Sequence, residues 1–66
     1  MTFTLAVYQK GDVEVTCEYE QYTFHARVYE KYGGEWHRTH ESWPYVDRDD
    51  AMKAYKRFKR RYCQCM

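Results

Sequence analysis

The chain has 66 residues and a mass of 8.2 kDa, close to the smallest size at which a hydrophobic core stabilises a fold without disulfides or metals. We therefore expect one domain over residues 1–66 and exclude a large substrate cleft between two domains. A hydrophobic content of 44%, an aromatic content of 20% and a single proline are typical of a folded chain rather than of a disordered linker.

Hydropathy and cysteine content bear on the compartment. The mean hydropathy is −1.02, and no apolar run is long enough to predict a membrane-spanning helix. The first residues enter a strand-like pattern directly, so we expect no signal peptide. Three cysteines cannot all pair within one chain, which favours free thiols in a reducing compartment. We expect a cytoplasmic protein with no membrane partner.

The charge is distributed unevenly along the chain. Residues 1–50 contain all ten acidic residues and five basic ones, whereas residues 51–66 contain six basic residues and no acidic one. The total of +1 therefore conceals a negative part and a positive part. This pattern excludes a uniformly basic protein that coats DNA and a uniformly acidic mimic of nucleic acid.

The first predicted element is a hairpin of two strands. Apolar residues occupy alternate positions from Phe3 to Val7 and again from Val13 to Tyr19, with a glycine-containing turn at residues 10–12 between them. Threonine and glutamate fill most of the intervening positions. This alternation is typical of half-buried antiparallel strands.

Two further strands follow. The third runs from Tyr22 to Lys31 and leads to Gly33-Gly34, a pair that suits the positive φ angles of a type I′ turn. The fourth, about Trp36 to Trp43, is less regular because its two tryptophans have opposite parity. A bulge or an early end near His40 is needed if both are to reach the core. The turn around Glu20-Gln21 contains no glycine and is the least defined boundary.

A single helix is predicted after Pro44. Asp47 suits the N-cap position, and apolar residues then recur with helical spacing to form a stripe. The stripe consists of Ala51, Ala54, Tyr55, Phe58 and Tyr62. The predicted fold class is α+β, an antiparallel three- to four-stranded meander packed on one face by a single C-terminal helix (ββββα).

The packing of the helix follows from these patterns. We expect the aromatic residues of the stripe to lie on one face of the sheet, against Phe3, Leu5, Val15, Phe24 and Val28. Since one helix covers one face only, the other face meets water or a partner. There we expect Glu18, His25, Arg27 and Tyr29 to be exposed and replaceable without loss of the fold.

The residue spacing in the sequence gives little support for a metal site or a catalytic site. His37 and His40 are three apart on a strand and so lie on opposite faces, and Cys63-Gln64-Cys65 lacks the two-residue spacer of a zinc knuckle. The chain shows neither a glycine-rich phosphate loop nor a recognisable catalytic triad. We expect no enzyme activity, no metal and no cofactor, a buried Cys17, and exposed thiols at Cys63 and Cys65.

The helix presents a basic surface over three turns. Its outward cations are Lys53, Lys56, Arg57 and Arg60. Cations at this spacing track phosphates, and Tyr8, Tyr29 and His25 on the open face of the sheet would offer rings on which bases stack. Direct DNA or RNA binding through the helix is therefore one hypothesis. A solvated face with cations favoured by the helix dipole is an equally open interpretation.

Two resemblances extend the hypotheses. The stretch from Tyr22 to Phe58, with its Gly-Gly hairpin, Trp-bearing strand and Asp-Asp-Ala helix start, resembles the three-stranded arm-type DNA-binding domains of phage and transposon integrases. That resemblance implies a sheet that lies in the DNA major groove. The short sheet, single helix and eight tyrosines resemble phage-encoded inhibitors of bacterial immunity, anti-CRISPR proteins among them. This second resemblance implies a protein that occupies the surface of a larger complex.

The leading hypothesis is a non-enzymatic binding protein, a phage or mobile-element inhibitor of a host CRISPR-type nucleoprotein complex. Its partner is a protein or nucleoprotein, with nucleic acid as the alternative, and the pattern favours no particular oligomeric state. Rigid aromatic rings beside opposite charge are typical of binding surfaces. We expect the interface to combine the basic helix with the Gly33-Gly34 hairpin, through Lys53, Lys56, Arg57, Arg60, Tyr29, Trp36 and His37.

Overall fold

The computed structural model describes residues 1–63, with Cys63 described by its backbone alone. Its elements are the strands β1 Thr2–Lys10, β2 Val13–Glu20, β3 Thr23–Tyr32 and β4 Glu35–Glu41, the helix α1 Arg48–Phe58 and a π-helical segment Lys59–Cys63. The strands form one antiparallel meander in the order β1-β2-β3-β4. The predicted ββββα fold is therefore confirmed. The thiols predicted at Cys63 and Cys65 lie outside the described side chains.

Two hairpin turns have the same backbone geometry but different residues. Gly33 and Gly34 have φ angles of 63° and 80°, which confirms the predicted type I′ turn. Gln21 and Tyr22 also have positive φ angles, of 54° and 69°. These two residues form the whole loop, because Glu20 pairs directly with Thr23. The sequence prediction that β3 begins at Tyr22 is therefore wrong by one residue.

The predicted irregularity of β4 is present as a bulge. The register shifts after Val28, which pairs with His40, so that Tyr29 pairs with Arg38. The bulge does not bring the tryptophans into the core. Trp36 lies on the face of the sheet away from the helix and is 39% exposed, and Trp43 follows the end of β4 with 79% of its surface exposed.

The segment between β4 and α1 positions the helix. Tyr45 and Phe24 exchange two backbone hydrogen bonds of 2.8 and 2.7 Å, so the chain runs beside β3 before it turns. The carboxylate of Asp47 then accepts a hydrogen bond from the backbone N–H of Asp49 at 3.2 Å, which confirms the predicted N-cap. As a result α1 crosses the two central strands of the sheet.

The core lies between α1 and the middle of the sheet. It consists of Val15, Cys17, Ala26, Val28, Ala51, Ala54 and Tyr55, with Phe58 and Tyr62 partly buried beside it. The predicted helical stripe and the burial of Cys17 are therefore confirmed. The predicted burial of β1 is wrong: Phe3 is 53% and Leu5 39% exposed. Because α1 rests over β2 and β3, the edge strand β1 keeps much of its apolar surface outside the core.

Candidate binding surfaces

The outer face, meaning the face of the sheet away from α1, is closed by an ion-pair cluster. Arg27 on β3 lies at its centre, and its guanidinium contacts Glu18 at 2.5 Å, Glu41 at 2.6 Å and Glu20 at 2.8 Å. Only 5% of Arg27 and 7% of Glu18 remain exposed. The prediction that these two residues are exposed is wrong. Long side chains on central strands fold onto their cross-strand partners, and these cover them.

The electrostatics of the cluster follow from its geometry. Burial alone lowers the pKa of Arg27, but hydrogen bonds to the three carboxylates outweigh it and raise that pKa. The hydrogen bond from Arg27 lowers the pKa of Glu20. Tyr29 donates a hydrogen bond of 3.1 Å to Glu18, and burial together with the charge of Glu18 raises the pKa of Tyr29. The guanidinium is thus engaged within the fold and is not presented to phosphates.

His25 belongs to the same cluster rather than to an exposed surface. Its side chain is 13% exposed, and Nε2 lies 2.9 Å from the hydroxyl of Thr23. The other ring nitrogen, Nδ1, is buried without a hydrogen bond and lies 3.6 Å from a carboxylate oxygen of Glu41. The prediction of an exposed His25 is therefore wrong as well. The outer face is mainly a structural surface.

The predicted aromatic patch of the Gly33-Gly34 hairpin is divided between two faces. Tyr29 and Trp36 line a shallow cavity of about 460 Å³ on the outer face, where β1 contributes Val7. His37 pairs with Glu30 and lies on the helix side, since the pleat alternates from Trp36 to His37. There its ring stacks on Tyr32 with the centroids 4.2 Å apart. Tyr29 and Trp36 are therefore brought together, and His37 is not.

The helix cations are exposed, as the sequence predicts, but only some of them share a cavity. We define the basic edge as the residues around a cavity of about 410 Å³ between α1, the π-helical segment and the end of β1. They are Tyr8, Lys10, Lys56, Lys59 and Arg60. Arg57 instead lines a second cavity beside Trp43 and Phe58. Lys53 is exposed and lines neither of these two cavities.

The basic edge places its cations beside the aromatic ring of Tyr8. The ammonium of Lys59 lies 4.5 Å from the ring centroid of Tyr8, within the range of a cation–π interaction. In the part of the chain that the structure describes, none of its four cations lies within 4.0 Å of a carboxylate. The sequence pattern does not predict that Lys10 and Lys59 belong to this surface, because only the folded chain places the end of β1 beside the helix.

The apolar end is a second surface that the sequence did not predict. We define it as the residues around a cavity of about 440 Å³ at the Gln21-Tyr22 turn. They are Phe3, Leu5, Tyr19, Tyr22, Phe24 and Val46. Tyr22 is 87% and Val46 86% exposed. The one available signal was the turn at Gln21 without glycine, which places an aromatic ring at a hairpin tip.

Neither metal chemistry nor similarity to known proteins adds a further site. Within residues 1–63 no group of three His, Cys, Asp or Glu side chains is placed to hold a metal ion, and no helix is long and apolar enough to cross a membrane. Burial raises the pKa of the Cys17 thiol. Comparison with protein-family models, with curated proteins and with solved structures gave no match. The basic edge and the apolar end are therefore the two candidate binding surfaces.

Proposed function

We propose that the protein is a non-enzymatic binding protein that covers a surface of a protein within a nucleoprotein complex, in the manner of phage-encoded inhibitors of CRISPR-type host complexes. The apolar end carries this proposal, because four of its six apolar side chains stay exposed, those of Phe3, Leu5, Tyr22 and Val46. Tyr22 and Val46 are its most exposed members, and Phe3 is 53% exposed. A contiguous apolar patch on a small domain is typical of a protein interaction site.

The backbone at Tyr22 supports a binding role. A φ angle of 69° lies in the left-handed region, where a side chain costs about 1 kcal/mol or more relative to glycine. Glycine occupies both positions of the equivalent turn at Gly33-Gly34. Tyr22 therefore lowers the stability of the turn while it presents a rigid ring at the hairpin tip. Tyrosine supplies contact area at a low cost in side-chain entropy, which suits an interface.

The charge beside the apolar end indicates the chemistry of the partner. Three exposed carboxylates, those of Asp47, Asp49 and Asp50, follow Val46 within four residues, against one cation at Arg48. A complementary surface is cationic with an apolar centre. Proteins that bind nucleic acid present cationic surfaces, so a protein component of a nucleoprotein complex fits better than an acidic protein does.

The test uses purified CRISPR effector complexes, one of each type, loaded with guide RNA. The protein is titrated into each complex, and binding of labelled target DNA is measured by fluorescence anisotropy. At least one complex is expected to lose DNA binding as the protein is added. In that complex, the variants Tyr22→Gly and Val46→Ser are expected to inhibit at least tenfold less strongly, since removal of a central interface residue costs about 2 kcal/mol.

A matched control uses the exposed valine on the outer face. Val7 is 54% exposed and pairs with Thr16, so it lies away from the apolar end. Val7→Ser is expected to inhibit as the parent does. Equal inhibition by the parent, Tyr22→Gly and Val46→Ser would show that the apolar end is not the interface. Failure of the parent to inhibit any type of complex would refute the CRISPR-type target.

A further inference from the structure

The basic edge is electrostatically unbalanced in the isolated chain. Lys10, Lys56, Lys59 and Arg60 line one cavity, and among residues 1–63 its lining contains no carboxylate. Like charges that share a small surface repel one another, and here no ion pair from the described residues offsets that repulsion. Such an arrangement favours an anionic ligand, because a ligand neutralises several cations at once.

The ring of Tyr8 indicates which class of anionic ligand fits the basic edge. Tyr8 pairs with Val15, a core residue, so its ring lies on the helix side of the sheet beside the cations, and the prediction that it lies on the open face is wrong. Tyr8 as a whole is 36% exposed. A cavity of about 410 Å³ is within the range of pockets for small organic groups. A ring flanked by cations matches a nucleotide, whose base stacks on the ring while its phosphate meets the ammonium groups.

The geometry points to a binding site for single-stranded nucleic acid at the basic edge, where one base displaces the Lys59 ammonium from the Tyr8 ring and the adjoining phosphates are held by Lys10, Lys56, Lys59 and Arg60. A single strand fits better than a duplex because the base must leave its stack to reach the ring. An acidic peptide would satisfy the cations but would leave the ring without a stacking partner. This site is separate from the apolar end, so the inference does not depend on the proposed function.

The acidic residues of β2 do not oppose this site. Glu14, Glu18 and Glu20 share the outer face, because they alternate with the core residues of β2. Glu18 and Glu20 are further neutralised by Arg27. The basic edge lies on the other side of the sheet, so its cations meet a phosphate backbone without these carboxylates in the way.

The experiment measures binding of the full chain to a fluorescein-labelled oligothymidylate of about twelve nucleotides, a length that spans typical single-strand sites. Anisotropy titrations at several salt concentrations are expected to give a slope of log affinity against log salt of about −2 to −3, as three or four phosphate contacts predict. A duplex of the same length is expected to bind more weakly. Oligoglutamate is expected to compete poorly.

Paired variants separate a built site from general positive charge. Lys56→Glu is expected to weaken binding on the order of tenfold, whereas Lys53→Glu, the same charge change on the same helix but outside the cavity, changes it less than about threefold. Tyr8→Ala is expected to lose on the order of tenfold and Tyr8→Phe to retain affinity, because stacking needs the ring and not the hydroxyl. Lys59→Gln provides an exposed variant with no expected effect on folding, and it should weaken binding and lower the salt slope by about 0.7.

Four results would overturn the inference. Equal losses from Lys53→Glu and Lys56→Glu would mean that only the overall charge matters. Unchanged binding in Tyr8→Ala would exclude stacking on the ring, and, should that variant fail to fold, unchanged binding and an unchanged salt slope in Lys59→Gln would exclude the phosphate contacts. Tighter binding of the duplex would exclude a single strand as the ligand, and equal competition by oligoglutamate would indicate an acidic protein instead. Tyr22→Gly is expected to bind the oligonucleotide as the parent does, so a failure at the apolar end is distinguishable from a failure here.

Discussion

Arg27 and Glu18 face each other across the two central strands, with guanidinium Nη1 and carboxylate Oε1 2.5 Å apart and both side chains almost fully buried. The pair lies on the face of the sheet that no helix covers. Glu20 and Glu41 complete the coordination of the guanidinium. Three strands, β2, β3 and β4, are thereby joined through side chains as well as through backbone hydrogen bonds. The outer face therefore carries side-chain contacts within the fold, and the two candidate binding surfaces lie elsewhere.

Removal of the Arg27 guanidinium is expected to lower the free energy of unfolding strongly. Arg27→Met leaves Glu18 buried without its partner, a change that typically costs about 3–5 kcal/mol. Since a domain of this size has about that much stability, the variant is expected to lose its cooperative thermal transition. Circular dichroism checks this result. The double variant Arg27→Met with Glu18→Leu is expected to regain part of the transition, and a single variant that melts with the parent would disprove the structural role.

Replacement of the strained turn is expected to raise stability. Gln21→Asn with Tyr22→Gly installs the residue pair that suits a type I′ turn best, at positions where both φ angles are positive. The free energy of unfolding should rise by about 1 kcal/mol, and Tm by about 4–8 °C for a chain of this length. Differential scanning calorimetry measures the shift. A lower Tm would mean that the ring of Tyr22 stabilises the fold through its contacts.

Two aromatic truncations are expected to differ sharply. Tyr55 is 7% exposed and belongs to the core, so Tyr55→Ala should cost about 3–5 kcal/mol. Phe3 is 53% exposed on the edge strand, and Phe3→Ala should cost less than about 1 kcal/mol. Urea denaturation gives both values. Similar losses at the two positions would contradict the observed position of α1 over the central strands.

Stability is expected to fall at alkaline pH. Burial raises the pKa of Cys17 above its ordinary 9.0, and burial together with the charge of Glu18 raises that of Tyr29 above 10.0. The folded state favours the neutral thiol and the neutral phenol. This stabilisation is complete at a pH below the ordinary pKa values of the unfolded chain, and it is lost as the pH rises through the raised pKa values of the folded chain. Above pH 9, the free energy of unfolding measured by urea denaturation should fall less steeply in the double variant Cys17→Ala with Tyr29→Phe than in the parent. An identical decline in parent and variant would refute this account.

The fold was largely predictable from the sequence. Period-two alternation located the first three strands, whereas the less regular fourth run was placed at Trp36 to Trp43 and lies at Glu35–Glu41. Gly33-Gly34 predicted its turn, and Asp47 with the apolar stripe predicted the helix and its buried side. These features are local, so a pattern of neighbouring residues is enough to define them. The exposure of Phe3 and Leu5 was not predictable, because it depends on which strands the helix crosses. The backbone pairing of Tyr45 with Phe24 decides that, and it is a long-range contact.

The candidate surfaces were only partly predictable. Lys56 and Arg60 were predicted from helical spacing, but Tyr8 and Lys59 meet only when the end of β1 and the end of the helix come together. The burial of Arg27 and Glu18 on the outer face was not predictable for a similar reason. Alternation places Arg27 on that face correctly, yet it does not show that three carboxylates converge there and bury it. Position along a strand defines the face of a residue but not its neighbours.

The most direct test of the central claim observes the apolar end in complex with its partner. Methyl-labelled protein is mixed with an inhibited CRISPR effector complex, and the ¹H–¹³C signals of Leu5, Val46, Val7 and Val28 are followed. The signals of Leu5 and Val46 are expected to shift or broaden, while those of Val7 on the outer face and Val28 in the core stay unchanged. Perturbation of Val7 with unchanged signals from Leu5 and Val46 would contradict the claim, because the outer face would then be the interface.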